Sequence, residues 1–152
     1  MKTSDKYKYW AMLADYDIET AKVLIDAERW AYVSYMCQQC LERQLKGMYV
    51  YYLNMEAPKS HNLPYLFERI KEVENFPEHG ERDIDIFNEF EDFFTEVMFY
   101  YVSDYPFSYK KITSRFIDND IAEELYNQTV IHLEKLRQMQ PLPEKVDLEN
   151  IE

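Results

Sequence analysis

Apolar residues recur along this chain at every third or fourth position, the period of helices with one buried face, and they do so almost from end to end. The first run places Trp10, Leu13, Ala14, Asp17, Ala21 and Leu24 on one side and predicts a helix capped by Ser4 and running to about Asp26. Asp17 is the polar intruder in that stripe. A second helix is predicted from about Ala31 to Asn54, with Val33, Cys37, Cys40, Leu41, Leu45, Met48 and Tyr52 in step. The stretch NMEAPKSHN then breaks the period, and Asn62 caps a short third helix in which Pro64 occupies the tolerant first turn.

A polar connection, VENFPEHGERD, holds Pro77 and Gly80 and leads to a fourth helix, about Asp83 to Tyr101. Phe87, Phe90, Phe94, Val97 and Tyr101 make this the strongest apolar stripe in the chain. Pro106 ends it, because the residue before a proline avoids the helical conformation. SDYPFSYKKITSRF reads as a loop of tyrosines and cations. The last helix starts near Asp118 to Asp120, where Asp120 and Glu123 stand at capping-box spacing, and continues to about Gln138. No alternating strand pattern, internal repeat or interdomain linker interrupts the series. The expectation is an all-α protein, an antiparallel up-and-down bundle of about five helices over residues 4–138, followed by a mobile acidic tail at 139–152.

Composition narrows the function classes. A hydrophobic content of 47% with only two glycines fits one packed core and no loop-dominated architecture. The tyrosine-rich segments MYVYYL and MFYYV exceed what one helix face requires, which points to a homodimer interface. A formal net charge of -12 repels nucleic-acid phosphate and anionic lipid, so DNA and RNA are not expected partners. No stretch approaches the roughly 20 apolar residues of a membrane span. The start, MKTSDKYKYWAML, lacks the apolar core of a signal peptide, and two cysteines are too few for a secreted disulfide framework, so a cytoplasmic location is expected.

Cys37 and Cys40 form a C-x-x-C in mid-helix within a continuous apolar period. A reactive pair usually sits at a helix N-terminus, and zinc would need two further ligands that no second C-x-x-C or H-x-x-x-H supplies. They read as small buried residues. Asp85, Glu89, Asp92 and Glu96 step along the fourth helix, but the E-x-x-H of di-metal bundles is absent, since Pro58, Phe76 and Thr129 stand three before the histidines. That row reads as a solvated acidic face, and no metal site is expected. Glu42 and Lys46 have the i, i+4 spacing of a helix-surface ion pair. Gln38 and Gln39, beside an apolar face, need partners if buried.

Four short stretches in order resemble the HEPN domain family. QQCLERQLKGMY resembles the family's second-helix signature through Gln38, Gln39, Glu42, Leu45 and Lys46. Trp10, Ala14, Ala21 and Leu24 are similar to its first helix, SHNLPYL to its H-x-L-x-x-L element through His61, Leu63 and Leu66, and SDYPFSY to its R-Y-P element. The resemblance covers about residues 7 to 135 and implies a five-helix domain, commonly dimeric, that handles a nucleotide or a nucleotide-handling partner. Relatives of the non-nuclease type often act with a minimal nucleotidyltransferase in a toxin-antitoxin-like or regulatory pair. Two departures bear on activity. Asp104 replaces the arginine of R-Y-P, which weakens a phosphate site unless Lys110, Lys111 or Arg115 compensates. HEPN ribonucleases place an arginine shortly ahead of a histidine, with four to six residues between them. Here those places hold Asn54, Met55 and Glu56 before His61, Glu72, Val73 and Glu74 before His79, and Leu125, Tyr126 and Asn127 before His132.

The resulting expectation is a binding and interaction module without a catalytic centre, cofactor or metal, apart from a bound nucleotide. Its ligand groove is expected near Gln39, Glu42, Lys46, His61, Tyr105 and Lys110. The partners expected are a second copy, a minimal nucleotidyltransferase protein and a nucleotide. The alternatives are a diverged HEPN ribonuclease whose cation comes from Lys110, Lys111 or Arg115, and a purely structural dimeric protein.

Overall fold

Helical periodicity becomes five α-helices in the computed structural model, which describes residues 2–74, 76, 81–103 and 117–139. They are α1 (Thr3–Asp26), α2 (Val33–Leu53), α3 (Leu63–Lys71), α4 (Glu81–Ser103) and α5 (Asn119–Met139), with one 3-10 turn at Trp30–Tyr32. The expected stop at Pro106, the link holding Pro77 and Gly80, and the acidic tail from Gln140 onward lie outside the described residues.

Two expected caps move. Ser4 lies inside α1, which begins one residue earlier, because the Lys2 carbonyl accepts from the amides of Asp5 and Lys6. In α5 the capping side chain is Asp118, whose Oδ1 accepts from the Ile121 amide at 2.9 Å. Asp120 sits in the first turn, where its charge complements the helix dipole. Asn62 does cap α3, accepting from the Tyr65 amide at 3.0 Å. With few glycines available, Asn54 takes the left-handed position that ends α2, a conformation asparagine tolerates better than most residues. Its side-chain oxygen accepts from the Thr3 hydroxyl at 2.7 Å and so ties the end of α2 to the start of α1.

Helix α2 is the central element and packs against all four others. Its predicted stripe is buried, Tyr52 partly so, but Ser34, Gln38, Glu42, Gln44, Lys46 and Gly47 are buried as well. Burial therefore extends around most of its circumference. The buried face of α1 is turned by one position from the predicted stripe, to Tyr7, Ala11, Ala14, Asp17, Ala21 and Ile25. That rotation lets α1 approach Gly47 closely. A Cβ at Gly47 would stand 2.8 Å from the Cβ of Trp10 and 3.0 Å from Cδ2 of Tyr7, so only glycine fits there.

α1, α2, α4 and α5 alternate in direction. α3 instead runs in the same sense as α2, because residues 54–62 double back along α2: Asn54 ends that helix, yet His61 lies beside Gln38 and Glu42. Phe67 of α3 then meets Phe87, Phe90 and Phe94 of α4 at ring-centroid distances of 5.2 to 5.7 Å, which forms the aromatic centre of the core. Arg137 fastens α5 to the other side of α2. It donates to the Ala11 carbonyl (3.0 Å) and to Gln44 Oε1 (3.3 Å), and pairs with Asp15 at 2.6 Å.

Asp17, the polar intruder, is buried against α2 and pairs with Arg43 at 2.9 Å, while its Oδ2 has no hydrogen-bond partner. Burial outweighs the attraction of Arg43 and raises its pKa to about 6. Because the folded state holds this proton more tightly than the unfolded chain does, the stabilising contribution is complete below about pH 4 and is lost as pH rises through about 6. In Asp17→Asn, unfolding midpoints measured from pH 4 to 7 should lose this part of the wild-type slope, and the variant should gain stability relative to wild type towards pH 7.

Candidate functional site

Three of the expected site residues meet at one place. Glu42, nearly buried on α2, holds His61 with one carboxylate oxygen and Lys46 with the other. The distances are 2.6 Å from Oε1 to His61 Nδ1 and 3.2 Å from Oε2 to Lys46 Nζ. His61 belongs to the doubled-back link, and its backbone carbonyl accepts from Gln38 Nε2 at 2.8 Å. The histidine is thus fixed at both ends while its side chain stays 62% exposed. With Nδ1 donating to the carboxylate, Nε2 is the nitrogen left to face solvent.

One aromatic ring lies beside this histidine and a second backs it. Tyr101, on the last turns of α4, lies 6.4 Å from the His61 ring and stacks on Tyr35 at 5.7 Å. Gln39 has a supporting part here, since its Nε2 donates to the Tyr35 hydroxyl at 3.2 Å. The place is where three elements converge: the middle of α2, the entry to α3 and the exit of α4. Tyr101 also lies just ahead of the segment that contains Tyr105 and Lys110. Those two expected site residues lie outside the described residues, as do Asp104, Lys111, Arg115 and His79.

The geometry redistributes the roles expected of the sequence. Lys46 is committed to Glu42 and only 10% exposed at its side chain, so it stabilises a buried carboxylate and is poorly placed to greet a phosphate. Tyr35 was not among the predicted site residues, and Tyr101 had been assigned to the apolar stripe of α4. The sequence signal that could have found Tyr101 is its place at the end of that stripe, one residue short of SDYP.

Cys37 and Cys40 are fully buried free thiols. Burial pushes the Cys37 pKa up to about 12 and Cys40 well above its ordinary value, the opposite of an activated thiolate. Their role in packing α2 stands. Among the described residues no group of three or more His, Cys, Asp or Glu is arranged to hold a metal ion, and no helix is long and apolar enough to cross a membrane.

The sequence model of the HEPN domain family matches residues 7–138. Comparison with curated proteins and with solved structures gave no match.

Proposed function

The chain belongs to the HEPN domain family, and from that premise we propose that it is a nucleotide-associated binding and interaction module, acting with a minimal nucleotidyltransferase in a toxin-antitoxin-like or regulatory pair. The observation that carries the reading is the buried Glu42 carboxylate holding His61 on one side and Lys46 on the other. A buried ion pair is costly unless well satisfied, and here it fixes an exposed imidazole beside Tyr101, which Tyr35 backs. His61 and Tyr101 offer a surface on which a base can lie, worth about 1–3 kcal/mol for each stacked base. Since Lys46 is already paired, phosphate recognition falls to Lys110 and its neighbours. A homodimer belongs to the same proposal. Most of MYVYYL goes into the core, leaving Tyr51 at 42% exposure, and Phe99 of MFYYV at 43% is the matching exposed ring on α4.

Calorimetric titration with nucleoside mono- and triphosphates, with and without magnesium, tests the ligand. Micromolar binding is expected, weakened about tenfold or more, which is 1.4 kcal/mol, by His61→Ala. Lys110→Ala should weaken triphosphates more than monophosphates. No binding to any of them would overturn the nucleotide reading and leave the protein partner as the function.

One observation favours a second reading, the diverged ribonuclease. Glu42 sets the tautomer of His61 as an acid/base histidine requires, with Nε2 outward. His132 cannot serve, because its ring is buried against Phe93. RNA cleavage by the wild type that disappears in His61→Ala would support this reading, and an inert wild type would end it.

A further inference from the structure

A second candidate place shares no residue with the one above. α4 and α5 run antiparallel there and leave between them a groove of about 330 Å³. Glu89, Asp92 and Glu96 of α4 and Glu124 of α5 form its rim, and Phe93 and His132 also line it. In sequence the α4 carboxylates read as a solvated acidic row. What α5 adds is a nearly buried imidazole among them.

His132 is 5% exposed. Its Nδ1 donates to the Gln128 carbonyl at 2.7 Å, which leaves Nε2 as a lone-pair acceptor with no partner among the described residues. Phe93 stacks on the ring at 4.3 Å and Phe90 meets it edge-on at 5.2 Å, so the remaining access to the imidazole is from the groove. Burial lowers the histidine's pKa against the Gln128 hydrogen bond, with Lys135 acting in the same direction as burial and Glu89 against it, and the neutral ring is the form that accepts. Among the described residues Lys135 is the one cation lining the groove, and it pairs with Glu89 at 3.5 Å. Asp92, Glu96 and Glu124 have no cationic partner among the described residues.

These features select a ligand chemistry. An anion would be repelled by the rim, and a purely apolar group would leave the imidazole acceptor dry and unpaired. A cation that carries N–H groups on an alkyl chain meets every requirement: charge for the carboxylates, a donor for Nε2 and methylenes for the Phe93 ring. We propose that the α4–α5 groove binds an alkylammonium group, with His132 Nε2 accepting one of its N–H bonds and Asp92, Glu96 and Glu124 neutralising its charge. The group can come from a free polyamine or from a lysine side chain of a partner protein.

The test is titration of the full chain at physiological salt with spermidine and, separately, with a short lysine–alanine peptide. Saturable one-site binding is expected for at least one of them. It should weaken about tenfold or more in Asp92→Asn/Glu96→Gln, two exposed positions whose change leaves the core intact, and about threefold in His132→Phe, which keeps the stack and removes the acceptor. Asp26→Asn/Glu56→Gln removes the same charge elsewhere on the surface and should leave affinity unchanged. Binding of spermidine alone assigns a free polyamine, and binding of the peptide alone assigns a partner's lysine. Absence of saturable binding to both, or an equal loss in the control variant, would overturn the proposal, since a net charge of -12 attracts any cation weakly and without a site.

Discussion

Glu42→Ala should lower the free energy of unfolding by about 3–5 kcal/mol, the range seen when one partner of a buried ion pair is removed. The magnitude follows from what is left behind. Lys46 is 8% exposed, and its ammonium loses the anion it is paired with, while His61 loses the acceptor at Nδ1. Glu42→Gln keeps an oxygen for one of the two donors and should lose less, about 1–3 kcal/mol. A Glu42→Met/Lys46→Met pair removes both charges together and should come close to wild type in stability, because a packed apolar pair can replace a buried ion pair at little cost. Urea midpoints of the three variants check the order. The double variant also separates stability from function: it should fold, yet lose nucleotide binding, since the His61 imidazole then has no acceptor at Nδ1 to orient it, although Gln38 still holds its backbone. A loss below about 1 kcal/mol in Glu42→Ala would place the pair in the range of solvent-screened surface bridges and remove the basis for a built site.

The helices were legible in the sequence because each has an apolar stripe at the right period, and α3 also because Asn62 is a good cap. Two features of the arrangement were not. The buried circumference of α2 includes Gln38, Glu42, Gln44 and Lys46, residues that a periodicity argument assigns to solvent. They are buried because each finds a partner on another element or on α2 itself: Gln38 at the His61 carbonyl, Gln44 at Tyr7 and Arg137, Lys46 at Glu42. Pattern alone cannot reveal such pairings. The path of residues 54–62 was equally invisible. A short break between two helices suggests a simple reversal, whereas this link returns along α2 and brings His61 level with Glu42, 19 residues earlier in the chain.

The site was readable in part for the same reasons. Glu42 and Lys46 were expected both as an i, i+4 pair and near the ligand groove; they do pair, and the pair is buried. His61 was expected in the groove through its place before α3, where Asn62 does the capping and His61 turns to Glu42. Gln39 was placed near the ligand, and it bonds Tyr35, the ring stacked on Tyr101. The groove between α4 and α5 needed the antiparallel register of two helices about 35 residues apart in sequence, which no local pattern carries.

Phe67→Ala should cost about 3–5 kcal/mol, as large-to-small changes at a buried aromatic do. Phe67 is 1% exposed and touches three phenylalanines of α4, and Lys71 lies 5.1 Å from its ring centroid. Few neighbours can collapse into the space, because Phe90 and Phe94 are themselves fully buried and packed on each other. Tyr16→Ala, at a ring 68% exposed on α1, should change stability by no more than about 0.5 kcal/mol and serves as the comparison. The consequence for the site is larger than for an ordinary core position. α3 has nine residues, too few to persist without tertiary contacts, and Phe67 is a main attachment of α3 to α4. The entry to α3 carries Asn62 and His61, so loosening α3 frees the imidazole from Glu42 while α1, α2 and α5 are still packed. Nucleotide binding by Phe67→Ala should therefore fall at temperatures where circular dichroism still reports a folded bundle. Binding and ellipticity that decline together would mean that α3 melts only with the whole domain, and that the orientation of His61 is as stable as the core itself.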